Sequence, residues 1–170
     1  MVLYSEKEIQ DKVKEISDNI NNIESYGNNV FICVLNGGFM FFTDLVKQIK
    51  QPCYIDFIQA KSYEGTNNHE VKILKDISLT PTVLENKTVY LIDDIYDSGN
   101  TINHLKKHLN QYNPKTIIPI TLFKRHSANN PDLIYGFNLE NEYFLEGYGL
   151  DGENGLKRNQ RFITGFSFDD

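Results

Sequence analysis

Ile9, Val13, Ile16, Ile20 and Ile23 recur at alternating steps of four and three. That spacing draws one apolar stripe along a helix of about 20 residues. Ser5-Glu6-Lys7-Glu8 opens it as a capping box, and Asn28 and Asn29 close it. Residues 30–35 form an unbroken apolar run, the pattern of a strand buried on both faces. Asn36-Gly37-Gly38 is a turn, and Phe39, Phe42, Leu45, Val46 and Ile49 mark a second amphipathic helix that Pro52 stops. Residues 54–60 and 71–77 read as strands, with the polar stretch 61–70 between them as a mobile loop. A strand over 88–92 follows, then a loop over 93–100 and a helix over 101–112 with Ile102, Leu105 and Leu109 on one side. Residues 116–123 are a further strand. Its Pro119 lacks the N–H for a ladder bond and so predicts an edge or a bulge. Shorter candidate strands lie at 133–137, 143–148 and 160–166.

Strand–turn–helix–strand order repeats twice. This predicts an α/β fold, a mostly parallel twisted sheet flanked by helices on both faces. The 170 residues suit a single domain with a sizeable core. In such sheets ligands collect beyond the carboxyl ends of the strands. Here those ends are the stretches 36–38, 93–101 and 124–125.

Composition narrows the partners. Lys plus Arg is 17 and Asp plus Glu is 23, a net charge of −6. An acidic chain argues against general nucleic-acid binding, which draws on a basic surface. No apolar run approaches the roughly 20 residues of a membrane span, and the first residues lack the core of a signal peptide. Cys33 and Cys53 sit in apolar stretches and read as buried, reduced thiols. A cytoplasmic setting is the expectation.

Chemistry concentrates in Val89-Tyr90-Leu91-Ile92-Asp93-Asp94-Ile95-Tyr96-Asp97-Ser98-Gly99-Asn100-Thr101. Its second half suits a phosphate. Gly99 allows close backbone approach, a helix N-terminus offers free N–H groups, and Ser98 and Thr101 add hydroxyls. Without a Walker lysine this is not an ordinary ATP loop, and the absence of G-x-G-x-x-G argues against a dinucleotide site. Asp93 and Asp94 would repel a phosphate, but they suit two vicinal ribose hydroxyls or a magnesium ion. Acids for a ribose beside donors for its phosphate describe a ribose-5-phosphate site. The plainer alternative is a helix start with acids favoured by the macrodipole.

The stretch Asp93–Thr101 after an apolar strand resembles the phosphoribosyl pyrophosphate (PRPP) signature of the type I phosphoribosyltransferases. Four further stretches resemble the hypoxanthine–guanine branch: Val34 to Leu45, with Asn36-Gly37-Gly38; Asp56 to Tyr63, with a Ser-Tyr pair; Pro114 to Arg125; and Tyr143 to Asp151. The five motifs span roughly residues 30–158 in the family's order. The resemblance implies a small C-terminal base-binding hood over about 124–170 and transfer of ribose-5-phosphate from PRPP to a 6-oxopurine. It implies Mg2+ as cofactor and a homodimer or homotetramer.

It also implies roles. Asp97 handles the proton at the purine N7 as the catalytic acid/base. Asp93 and Asp94 hold the ribose hydroxyls, directly or near the metal, and Ser98, Gly99, Asn100 and Thr101 cradle the 5′-phosphate. Asn36, Gly37 and Gly38 meet pyrophosphate, with Lys157 or Arg158. Lys124 donates to the 6-oxo group, Phe144 stacks on the base and the Leu145 backbone reads its edge. Asp151 lies by the base and supports a second magnesium. Ser62 and Tyr63 ride on a lid. The chain departs from the family where many relatives carry a lysine at Asn36, often after a non-proline cis bond, a glutamate at Asp93 and an aromatic at Gly152. The remaining alternatives are a phosphoribosyltransferase for another base and a nucleotide-sensing RNA-binding regulator of the same fold. Lys124 opposes adenine. The regulator needs a basic face, and the chain offers only Lys106-Lys107 and Lys157-Arg158.

Overall fold

The computed structural model describes residues 1–23, 27–64, 69–125, 127–140, 143–152 and 155–166, with backbone alone at 63, 64 and 69. Strand β1 (Val2–Tyr4) leads into helix α1 (Glu6–Asn21). The capping box is formed: Ser5 N donates to Glu8 Oε2 at 2.8 Å and Glu8 N donates to Ser5 Oγ at 3.3 Å. Ile9, Val13, Ile16 and Ile20 are buried, while Ile23 lies past the helix end and is exposed.

The main sheet has six strands: β2 (Asn29–Leu35), β3 (Tyr54–Glu64), β4 (His69–Lys75), β5 (Thr88–Tyr96), β6 (Thr116–Arg125) and β7 (Ile134–Leu139). Their order is β4-β3-β2-β5-β6-β7, parallel throughout except for the antiparallel β3–β4 pair. Alternate residues of β2 serve opposite faces. Phe31 and Cys33 pack with α1 and with α2 (Phe39–Val46). Val30, Ile32 and Val34 pack with α3 (Pro81–Leu84) and α4 (Asn100–Leu109). A strand covered on both faces must be apolar at every position, which is why 30–35 shows no alternation. Burial pushes the thiols of Cys33 and Cys53 up, away from the reactive thiolate.

Four expectations change. The stretch 61–70 is not one loop: 61–64 and 69–70 continue β3 and β4 in an antiparallel hairpin, with Ser62 opposite Val71. Residues 65–68 lie outside the described residues. Strand β5 runs on to Tyr96, so Asp93 and Asp94 stand on a strand rather than in a loop. Pro119 lies inside a strand flanked on both sides, opposite Leu91 of β5. The ladder to β7 begins only at Ile120, so at the proline itself β6 has one partner. Finally, Lys124, Arg125 and 134–139 belong to the main sheet. The separate sheet at the C-terminus holds β8 (Phe144–Glu146) and β9 (Ile163–Phe166), and its third strand is the N-terminal β1, in the order β1-β9-β8. A strand of three residues carries too little periodicity to be read from sequence. Among the described residues no helix is long and apolar enough to cross a membrane.

Candidate active site

The parallel strands β2, β5 and β6 end at Leu35, Tyr96 and Arg125, and the chemistry-bearing residues gather there. After β2 the Leu35–Asn36 peptide is cis. Asn36 is exposed, with its Oδ1 3.5 Å from Gln59 Nε2. The two glycines that follow have no room for a side chain. A methyl group on Gly37 would overlap the Asp94 carboxylate, and one on Gly38 would lie 2.9 Å from the Val34 carbonyl and 3.2 Å from Asp93 Cα. The turn 36–38 is thus pressed onto the acidic end of β5.

Asp93 is buried and Asp94 mostly so. Asp93 Oδ1 accepts from Asp94 N at 2.9 Å, and Asp94 Oδ1 accepts from Ile95 N at 2.6 Å. Burial, and then the neighbouring Asp94 charge, pushes the Asp93 carboxyl well above its usual range. Burial also raises Asp94, against its hydrogen bonds and the positive charge of Arg158. Two crowded carboxylates of this kind gain from any hydroxyl donor or cation that reaches them.

Beyond them the chain turns through exposed Asp97 and Ser98 into α4. Gly99 has φ +81, and Asn100 N donates to Ser98 Oγ at 3.4 Å. Asp93 together with 95–102 walls a small pocket, which therefore includes every expected 5′-phosphate residue and Asp97. Sequence reasoning missed Tyr96. Its hydroxyl lies where a methyl group on Gly99 would go, and it accepts from Asn130 Nδ2 at 3.2 Å. The 97–99 turn therefore rests on a buried phenol tied to the β6–β7 connection.

Lys124 lies opposite Tyr96 in the β5–β6 ladder, with its ammonium 4.9 Å from the Tyr135 ring centroid. Arg125 Nη1 donates to the Tyr143 carbonyl at 3.1 Å. In the hood the ring of Phe144 is 5.3 Å from Phe166, and Leu145 is buried. Neither Lys124 nor Phe144 belongs to the wall of the pocket at the end of β5. The turn after β8 carries three consecutive residues with positive φ: Gly147 at +99, Tyr148 at +47 and Gly149 at +98. A methyl group on Gly149 would overlap the Gly37 carbonyl, so the hood touches the 36–38 turn.

The two candidate cations at 157 and 158 behave differently. Arg158 Nη1 donates to the Gly149 carbonyl at 2.6 Å, and its Nη2 is 2.7 Å from Asp151 Oδ2. Lys157 is paired with Glu146, a buried carboxylate that also accepts from Thr164 Oγ1 at 3.0 Å. The hydrogen bond from Lys157, acting against burial, holds Glu146 below its usual range. The same pair explains Gly152, since a methyl group there would overlap Glu146 Oε2. At the position where the resemblance leads one to expect an aromatic, Gly152 lies against this ion pair. The expected metal set Asp93, Asp94 and Asp151 does not close into one cluster. Among the described residues no group of three carboxylate, histidine or cysteine side chains is placed to hold a metal. Ser62 is exposed on β3, and the Tyr63 side chain lies outside the described residues.

A family profile described as a phosphoribosyl transferase domain matches residues 3–153. The chain belongs to the phosphoribosyltransferase family. It is 35% identical over 155 residues to the hypoxanthine-guanine phosphoribosyltransferase of Streptococcus mutans, covering 88% of this chain and 84% of that protein. It is 34% identical to the bifunctional protein TilS/HprT of Listeria monocytogenes, but spans only 23% of that protein's length. Among solved structures, a hypoxanthine phosphoribosyltransferase from Staphylococcus aureus superposes with a TM-score of 0.88 at 30% identity, over 98% of this chain and 91% of that one. The Trypanosoma cruzi hypoxanthine phosphoribosyltransferase in complex with the product IMP gives a TM-score of 0.83 at 26% identity, over 99% and 94%.

Proposed function

We propose that this phosphoribosyltransferase acts in purine salvage, moving ribose-5-phosphate from PRPP to hypoxanthine, and to guanine, with release of pyrophosphate. The observation that carries the reading is the end of β5, where buried Asp93 and half-buried Asp94 adjoin a pocket walled by the 97–101 turn and the start of α4. Acids accept from ribose hydroxyls, and the turn and helix start supply N–H and hydroxyl donors to the 5′-phosphate. The relatives named for hypoxanthine support the base.

Cleaving the anomeric bond builds positive charge on the ribose, as in glycoside cleavage. In this reading Asp97 takes the proton from the purine N7 as the new bond forms. Lys124 donates to the 6-oxo group, Phe144 stacks on the base and the Leu145 backbone reads its edge. Asn36, Gly37 and Gly38 meet pyrophosphate together with Arg158. Lys157 is withdrawn from that role, because its ammonium is committed to Glu146. The β3–β4 hairpin, with Ser62 and Tyr63, closes over the site and keeps water from the ribose.

Magnesium fits the donor set. Asp93 and Asp94 are hard oxygen ligands whose raised carboxyls gain from a cation. Among the described residues no three-ligand cluster closes, so Asp93, Asp94 or Asp151 would hold the ion beside pyrophosphate rather than as a protein cage. When bound, it neutralises the charge that develops on the pyrophosphate leaving group. The same reading holds the protein to be a cytoplasmic homodimer or homotetramer, and Ile55 and Phe57, 45% and 39% exposed on one side of β3, are apolar area for such an assembly.

The test is pyrophosphate release with PRPP and magnesium across hypoxanthine, guanine, xanthine and adenine. Turnover with hypoxanthine is expected and turnover with adenine is not. Absence of turnover with every 6-oxopurine overturns the reading.

A further inference from the structure

In-line transfer places the base and pyrophosphate on opposite sides of the anomeric carbon, and the reaction needs the attacking nitrogen within about 3–3.5 Å of it. In the function proposed above, on which this inference rests, the base sits on β8 of the hood and pyrophosphate on the 36–38 turn of the main sheet. These two elements are far apart in sequence: β8 lies in the small sheet, whereas the turn follows β2 of the main sheet. Their spacing is therefore set by non-covalent contacts alone.

Among the described residues, one side-chain hydrogen bond links the turn after β8 to the helix that follows the 36–38 turn. Asp44 lies on α2, the helix that starts directly after the glycine turn, so it moves with that turn. Its Oδ2 accepts from Tyr148 Oη at 2.8 Å and from Gln10 Nε2 at 2.8 Å, and Lys47 Nζ is 2.8 Å from Oδ1. Burial by itself would raise the Asp44 carboxyl, but the bonds from Lys47, Gln10 and Tyr148 outweigh it and hold the group below its usual range. Tyr148 is 2% exposed and sits at φ +47 between the two glycines of the hood turn. A bulky residue takes that backbone region only where its surroundings over-determine it. Burial and the bond to Asp44 both push the phenol up, so it remains a donor. Next to it, Gly149 rests on the Gly37 carbonyl.

We propose that the Tyr148–Asp44 hydrogen bond is a positioning clamp for the transfer step: it fixes the gap between the base-bearing hood and the pyrophosphate-bearing turn. Asp44 and Tyr148 touch no reacting atom in this scheme and act through the two elements they join. The clamp acts on geometry at the transition state, so its loss appears in kcat more than in the KM of either substrate.

The test is steady-state kinetics with hypoxanthine, PRPP and magnesium on Tyr148→Phe, Asp44→Asn and Gln10→Ala, with thermal melts of each. Tyr148→Phe removes one oxygen and is expected to lower kcat by about tenfold to a hundredfold, with both KM values changed far less. Asp44→Asn, which leaves one acceptor oxygen for three donors, is expected to lower kcat less. Gln10→Ala removes a donor to the same carboxylate but from α1, outside both elements, and is expected to lower the melting temperature while keeping kcat within about twofold. A Tyr148→Phe enzyme with wild-type kcat overturns the clamp, and so does a Gln10→Ala enzyme that loses as much kcat as Tyr148→Phe. Wild-type protein inactive with every 6-oxopurine overturns the function and the clamp together, whereas an active wild type beside an unaltered Tyr148→Phe overturns only the clamp.

Discussion

The end of β5 and the hood are built in opposite ways. In the first, Asp93, Asp94, Asp97, Ser98, Gly99 and Thr101 follow one another within nine residues, and they share one pocket apart from Asp94, which stands just beside it. Neighbours along the chain place them, because a strand that ends in a turn and re-enters as a helix has few shapes available. In the hood nothing local decides. Its third strand comes from the other end of the chain, Tyr148 is held by Asp44 across 104 positions, and Lys157 is held by Glu146 across 11. A phosphate cradle can be local because phosphate is met by consecutive N–H groups. A base and a leaving group must approach one carbon from two sides, so their supports come from separate elements.

Asp97→Asn tests the local half most severely. The exposed side chain holds up no packing, so the melting temperature should stay put while kcat falls by about a hundredfold to ten-thousandfold, the usual worth of an acid/base group. A loss below tenfold would move the proton-transfer role elsewhere. Arg158→Ala and Lys157→Ala separate the two cations of the hood. Losing a charged hydrogen bond to pyrophosphate is worth about 1.5–3 kcal/mol, so Arg158→Ala should raise the KM for PRPP by roughly tenfold to a hundredfold. Lys157→Ala should leave that KM nearly unchanged and lower the melting temperature, because buried Glu146 loses its cation. The reverse pattern would place the pyrophosphate contact on Lys157.

Gly99→Ala probes the support beneath the cradle. The positive φ disfavours alanine, by about 1–3 kcal/mol, and the new methyl meets the Tyr96 hydroxyl. Adding Tyr96→Phe removes that oxygen and should recover part of the stability. Denaturant melts of the single and double variants read this directly, and additive losses would show that the hydroxyl and the turn are independent.

The smallest effect is the pH dependence of the hood. Asp44 and Glu146 are both held below their usual range in the folded chain. As pH falls the unfolded chain binds protons first. The stabilisation is therefore complete above the ordinary carboxyl values, near pH 4, and is lost as pH drops through the lower folded ones. Melting temperature against pH should show an acid limb that Glu146→Gln flattens. A variant with an unchanged limb would assign the acid sensitivity to other carboxyls.

Much of the fold is legible in the chain because burial writes itself as periodicity. The α1 stripe, its Ser5 cap and the unbroken run of β2 follow from one-sided and two-sided burial. Other features leave weak marks. The continuation of β3 and β4 through 61–64 and 69–70 is polar, and Lys61, Ser62 and Glu70 on it are exposed, so burial leaves no periodicity there. Strand β5 runs through Asp93 to Tyr96 despite its acids, since β6 pairs with it as far as Lys124. In the site, the acids and the 97–101 turn were readable as residue types that suit a ribose phosphate, and the glycines at 37 and 38 as a turn. Gln10, Asp44, Glu146, Tyr96 and Asn130 were not. A polar residue on an apolar helix, such as Asp44 in Phe39–Val46, signals that a partner exists without naming it.

By itself the sequence determined the main helices and most of the main-sheet strands, the cover on both faces of that sheet, and the presence after β5 of residue types that suit a ribose phosphate. These depend on side-chain periodicity and on neighbours a few residues apart, where backbone geometry leaves little choice. Only the tertiary structure decided that the N-terminal strand completes the hood, that Arg158 rather than Lys157 stands beside the acids, and that Gly152 makes way for an ion pair. Each of these is a choice among several donors and acceptors within reach of the same partner. What selects one is the three-dimensional packing that buries Glu146 with Lys157 and seats Tyr148 on Asp44.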